Sequence, residues 1–289
     1  MKAGPLLSLI VALLLAELLS PWAFFALAPL HVPFHRVVDR ALMIAVLAAA
    51  LCSGRGLPWC AWWSWDRDTW KQLLLGYFIA FVSVQAIVGF IVAAAGLDWA
   101  SPMPHTSSIL ATALLAALVV PLLEETFFRG FVQTRLVARC GAAAGIPLTA
   151  MIYALAHFIK VPTGIDTEPV RWSSGFHAFG QAVLPLLHGD FLAGRGLNLL
   201  ILGLILGLVF LRSGRLWIGY ALHGGFIVAL LTVPKVTQPQ SPPRVAWLAG
   251  DLISNPLTTV VLLLLLCWLW FFYRAPWVSP ETGPNAPLN

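Results

Sequence analysis

Charge is what this sequence has least of. Only 10% of its 289 residues are charged, against 60% hydrophobic, whereas soluble domains carry about a quarter charged residues. That scarcity excludes a water-soluble fold of this size, because too little polar surface exists to cover so much apolar side chain. The apolar runs are continuous rather than alternating, which argues for spanning helices over a β-barrel. Cysteine is scarce as well. Cys52, Cys60, Cys140 and Cys267 are scattered with no CxxC spacing, so neither a zinc site nor a disulfide framework is implied. No basic run favours nucleic acid. The formal charge of +5 reflects loop Lys and Arg that set orientation and meet anionic lipid. There is no HExxH and no GxSG-type serine segment. An aspartyl pair would need two intramembrane aspartates, and the bundle offers only Asp190, in a loop region.

What is present are apolar runs near the roughly 20 residues that a spanning helix needs. Eight candidates cover 6–30, 37–52, 73–95, 107–135, 143–160, 197–211, 216–233 and 256–273. The expected fold is therefore all-α, a multi-pass transmembrane helical bundle of about eight helices. The first run lacks a clear small-residue cleavage site and reads as an uncleaved helix. The tryptophans between runs two and three read as interfacial anchors. Pro121 is expected to kink the fourth run. The segment 161–194 reads as a loop with a short re-entrant or interfacial helix, and 275–289 as a flexible, Pro-rich tail. A single transmembrane domain is expected over 1–274. With the N-terminus inside, Lys2, Arg55, Arg67, Lys71, Arg135, Arg139, Arg212, Arg215 and Arg274 lie on one side. Arg36, Arg40, Lys160, Arg171, Arg195, Lys235 and Arg244 lie on the other. The imbalance places both termini in the cytoplasm.

A charge at the bilayer centre costs about 2.5–3.5 kcal/mol on insertion scales, so residues that carry such a cost usually have a function. Three places stand out. In PLLEETFFRG, Glu125 and Arg129 are four apart and can pair. Glu124 then lies about 100° around the helix, a desolvated carboxyl suited to general acid–base work. The competing reading is a helix-end cluster that snorkels to water. It suits Arg129 and explains the paired acids poorly. In YALAH, Tyr153 and His157 are one turn apart. In YALHGGFIV, His223 stands beside Gly224 and Gly225, which allow close helix approach. A lone His on an apolar helix is more often a satisfied core residue. Here, however, the rise of about 1.5 Å per residue puts Glu124, His157 and His223 about 15, 21 and 10 Å from one membrane side. A carboxylate and two imidazoles at comparable depth can activate a water and stabilise an oxyanion.

These motifs resemble those of the CAAX-processing and bacteriocin-processing membrane proteases (the CPBP or Abi family). Glu124-Glu125-Thr-Phe-Phe-Arg129 matches EExxxR. Tyr153-Ala-Leu-Ala-His157 is similar to FxxxH, and the stretch around His223 is similar to the approach to HxxxN. The resemblance covers about 105–232. It implies an eight-helix glutamic intramembrane endopeptidase without metal or other cofactor. Its partners would be the bilayer and a membrane-embedded or lipidated peptide cleaved near its C-terminus, in a bacterial cell membrane. It implies Glu124 as base, His157 as an aid to water activation and His223 at the oxyanion site, with Glu125 and Arg129 supporting the geometry. Two positions depart from the pattern. Ile227 stands where the third motif has Asn, and a lost oxyanion donor can cost about 10²–10³ in rate. Tyr153 stands where the second has Phe. A phenol, from Tyr153 or from Tyr220 three residues before His223, is expected to compensate.

Two other classes compete. A scaffold or immunity/binding relative that kept the fold and lost full chemistry is supported by Ile227 and opposed by the five retained ionisable residues. A proton-coupled transporter would need inverted repeats and broken helices in both halves, and the sequence shows neither.

Overall fold

The computed structural model describes residues 5–53, 57–94, 97–100, 106–167, 169–187, 194–239, 245 and 251–272. The tail 275–289, Asp190 and the loop cations Lys2, Arg55, Arg244 and Arg274 lie outside the described residues. The described residues are nearly all helical, with two three-residue strands among them. Among the described residues four helical stretches are long and apolar enough to cross a membrane: Arg67–Ala93, Thr106–Ala156, Arg195–Ser213 and Trp217–Val236. Two shorter apolar helices cover Ile10–Ala26 and Pro256–Phe271. The residues fall into two compact units, 1–57 with 155–191, and 58–154 with 192–289.

The first unit contains α1 (Pro5–Ala26), α2 (Phe34–Ser53) and α7 (Ser174–Leu187). The expected short helix in 161–194 is α7. Phe34, Val38 and Leu42 of α2 pack with Val161, Ile165, Ala178 and Ala182. The Val161 N–H donates to Asp39 Oδ1 at 3.2 Å, so a polar residue of α2 holds the segment leading to α7. Gly175, in the first turn of α7, lies where a Cβ would run into the Glu17 carbonyl and the Ser20 hydroxyl of α1. An open cavity of about 410 Å³ is lined by Phe24, Ala28, His31, Val32, Pro33, Phe34 and Val170. None of the candidate site residues lines it.

The second unit is built from α3 (Trp59–Trp62), α4 (Arg67–Ala93), α5 (Thr106–Glu125), α6 (Thr134–Ala156), α8 (Arg195–Ser213), α9 (Trp217–Val236) and α10 (Pro256–Phe272). Asp66 starts α4 with a capping box, its side chain accepting from the Asp68 and Thr69 N–H groups. Gly214, at φ 64°, ends α8 in the left-handed conformation that glycine adopts without strain. Gly141, at φ 76° and ψ 167°, breaks α6. A Cβ on Gly145 would stand 2.7 Å from the Val137 nitrogen. In an unbroken helix those residues would be about 12 Å apart, so the chain reverses here. The stretch Thr106–Ala156 therefore makes two passes, as the separate runs 107–135 and 143–160 predicted.

Glycines set the helix contacts. Gly76 of α4 lies against Ile218 and Ala221, and Gly225 of α9 against Ala80. Both numbers rise together, so α4 and α9 run parallel. α8 is buried almost throughout from Asn198 to Arg212 and forms the centre of this unit. Its Asn198 donates to the Ile253 carbonyl at 2.7 Å, and Arg212 to the Trp270 carbonyl at 3.0 Å, tying α10 alongside. The strands β1 (Leu97–Trp99) and β2 (Thr237–Pro239) pair antiparallel and clasp the ends of α4 and α9. The sequence reading contains no strand there.

The tryptophan segment divides. Trp65 and Trp70 are exposed, as anchors would be. Trp62 is fully buried; a Cβ on Gly130 would stand 2.9 Å from its ring. It is a core residue rather than an anchor, because a glycine opens a slot for the indole.

Candidate active site

The buried residues of α5 recur at spacing four: Ala113, Ala117, Pro121 and Glu125. They form the face turned to α9. Pro121 has no N–H, so the Ala117 carbonyl, four residues earlier, loses its helical partner. Gly224 of α9 lies against that oxygen; a Cβ there would stand 2.9 Å away. One turn further, Gly219 leaves room for the next side chain, since its Cβ would stand 3.2 Å from Glu125 Oε2. The proline and the glycines together let α9 come close enough for His223 to reach the acids.

Beyond Glu125 the helix changes pitch. Thr126–Gln133 is an eight-residue π-helical segment, a rare form that is frequent at functional sites. Hydroxyls meet carbonyls at both ends: Thr126 donates to Leu122 at 2.5 Å, and Thr134 to Arg129 at 3.2 Å.

His223 stands between the two carboxylates. Its Nδ1 is 2.9 Å from Glu125 Oε1. Its Nε2 is 3.5 Å from the Tyr153 hydroxyl and 3.8 Å from Glu124 Oε2. Ionised Glu125 can only accept, so Nδ1 carries the proton, and in the neutral ring Nε2 accepts from Tyr153. Arg129 completes the cluster. Its Nη1 is 3.3 Å from Glu125 Oε1, and its Nη2 donates to the Gly203 carbonyl at 3.3 Å. Its guanidinium carbon lies 4.6 Å from the Tyr153 ring centroid, within cation–π range. The two acids are not equivalent. The Glu125 side chain is 1% exposed and the Glu124 side chain 23%. Glu125 is committed to Arg129 and His223, while Glu124 is the one that meets solvent-accessible space.

Of the candidate residues, Glu124, Glu125, Arg129, Tyr153 and His223 come together in the second unit. Glu124 lies within 3.8 Å of an imidazole, because His223 from α9 fills the angle between the acids. Tyr153 turns to His223. The run 143–160 does not stay helical to its end: α6 stops at Ala156, and the Phe158 N–H closes a turn onto Leu155. Pro162 explains this, since the residue before a proline is driven out of the helical region. His157, partly buried in that turn, belongs to the first unit. Tyr220 packs edge-on against Trp63 and Trp217, with ring centroids 5.8 and 6.0 Å away. Ile227 lies partly buried on α9, one turn beyond His223.

The sequence reading missed Gln133, fully buried one π turn past Arg129, whose amide donates to the Gly207 carbonyl at 2.8 Å. Gly203 and Gly207, at small-xxx-small spacing, were the signal for such a contact. It also missed Tyr77 of α4, whose hydroxyl lies 3.3 Å from where a Gly224 Cβ would stand. Among the described residues no three His, Cys, Asp or Glu side chains gather as a metal-holding group.

No curated protein and no solved structure matches this chain. Residues 106–229, which carry every candidate side chain from Glu124 to His223, match the family model for type II CAAX prenyl endopeptidase Rce1-like proteins.

Proposed function

We propose that the chain is a glutamic-type intramembrane endopeptidase that cleaves a membrane-associated or lipidated peptide near its C-terminus. The observation that carries this reading is the division of labour around His223. A buried Glu125–Arg129 pair holds one ring nitrogen, while the partly exposed Glu124 and the Tyr153 hydroxyl face the other.

In this reading Glu124 takes a proton from a water as its oxygen adds to the scissile carbonyl. The carbonyl oxygen becomes an oxyanion, which His223 Nε2–H stabilises when the ring is protonated. The C–N bond then breaks, and Glu124 returns its proton to the leaving amine. Tyr153 supplies a hydroxyl beside His223 where Ile227 supplies no donor. The motif resemblance gives His157 a share in activating the water. The loop cations support both termini in the cytoplasm, and the membrane is taken as that of a bacterial cell.

The test is cleavage of a co-expressed membrane peptide library, read by mass spectrometry, for wild type and Glu124→Gln. Loss of a general base costs about 10²–10⁴-fold, so products are expected with wild type and not with the variant. Equal cleavage by both overturns the role of Glu124. Folded wild type with no product, beside an active family protease, favours a non-catalytic scaffold and makes Ile227 its cause.

A further inference from the structure

We propose that Gln133 is a positioning residue: its amide, bonded across to the Gly207 carbonyl, fixes the π-helical register of Thr126–Gln133 and so holds Glu125 against His223.

The π segment is anchored by two rungs to α8. Arg129 donates to the Gly203 carbonyl and Gln133 to the Gly207 carbonyl, at 3.3 and 2.8 Å. Both rungs join residues 74 apart, so the segments run parallel in one fixed register. A slip that carried Gln133 off Gly207 would also turn Arg129 from Gly203. Arg129 is ion-paired with Glu125, and Glu125 is hydrogen-bonded to His223 Nδ1. The register at Gln133 is thereby transmitted to the imidazole.

The fit at Gly207 is close. The Gln133 amide straddles this residue, with Nε2 on its carbonyl and Oε1 over its α-carbon. A Cβ there would stand 2.8 Å from Oε1 and 3.0 Å from Ile146 Cγ2. Only glycine admits the amide.

Stability alone does not call for Gln at this position. The side chain is fully buried, and Oε1 has no hydrogen-bond partner among the described residues. A buried polar atom left unmet costs about 1–3 kcal/mol. A leucine would fill similar space without that cost. What the amide contributes is a defined register, the best-attested use of a buried polar group.

The experiment compares full-length wild type and Gln133→Leu in lipid nanodiscs, with isotopic nitrogen labelling of histidine. His223 is assigned from the signal lost in His223→Gln. Wild type is expected to show one tautomer, protonated at Nδ1. Gln133→Leu is expected to lose that signature while its unfolding midpoint holds. If the variant does not fold, Gln133→Met, which keeps the side-chain length, takes its place. An unchanged His223 signal overturns the proposal, and a lowered midpoint with that signal intact makes Gln133 merely structural. The kinetic arm rests on the hydrolytic reading. A misplacement of about 1 Å costs about 10²-fold, so kcat should fall by that factor with KM unchanged. Wild type without hydrolysis would sink the hydrolytic reading and leave the tautomer result to decide Gln133.

Discussion

Two acids lie buried in apolar helices, one in each unit, and they are treated in opposite ways. Glu125 on α5 is met by the Arg129 guanidinium, the His223 imidazole and the space over Gly219. Glu17 on α1 is 2% exposed, and among the described residues neither of its oxygens has a partner. Burial of a carboxyl is common to both regions, so burial by itself does not mark a site. The difference lies in whether other helices deliver groups to the acid. Around Glu125 the proline of α5, the glycines of α9 and a π-helical segment are all arranged to do so.

The comparison can be broken in three places. The largest effect is expected from Glu125→Leu, which leaves Arg129 buried without its carboxylate. Breaking a buried pair in this way costs about 3–5 kcal/mol, read as the unfolding midpoint in detergent. A variant as stable as wild type would make the two acids alike after all. Glu17→Leu should act in the opposite direction. Removing an unmet buried polar group is expected to raise stability by about 1–3 kcal/mol in the same assay. A loss instead would mean that Glu17 has a function of its own.

The smallest effect is expected at a third acid, which is partnered but exposed to water. Asp66 sits 2.6 Å from Arg215. The hydrogen bond from Arg215, joined by one from Thr69, holds its carboxyl below the ordinary range. A lowered folded-state pKa means that stability is present above the unfolded value of about 3.9 and is lost as pH falls through the folded one. Asp66→Asn keeps a good helix cap. It should therefore be slightly less stable near neutral pH and equal to wild type in strong acid. A difference that persists in acid would assign the effect to capping rather than charge.

Helix positions are largely legible in the sequence because apolar length is a one-dimensional property. The Glu125–Arg129 pair is legible for the same reason, since spacing four puts both on one face. The partner of each ring nitrogen is not. It depends on how closely α5, α6 and α9 approach, which Pro121, Gly219 and Gly224 set jointly. The π pitch of Thr126–Gln133 is also hidden, because it is held by carbonyls of α8 rather than by local propensity. His157 reads as helical because its apolar run continues to Lys160, whereas the constraint from Pro162 ends the helix sooner.

The spacing of the cluster along the chain has a consequence for biosynthesis. Glu125 and His223 are 98 residues apart, which at typical elongation rates is about 5–20 s of translation. During that interval the acids are already made and their imidazole is not. Arg129, only four residues on, is made within about a second, so Glu125 has a countercharge on its own helix before α8 and α9 exist. The ion pair that helps orient His223 in the finished protein thus first serves to make its own segment cheaper to insert into lipid.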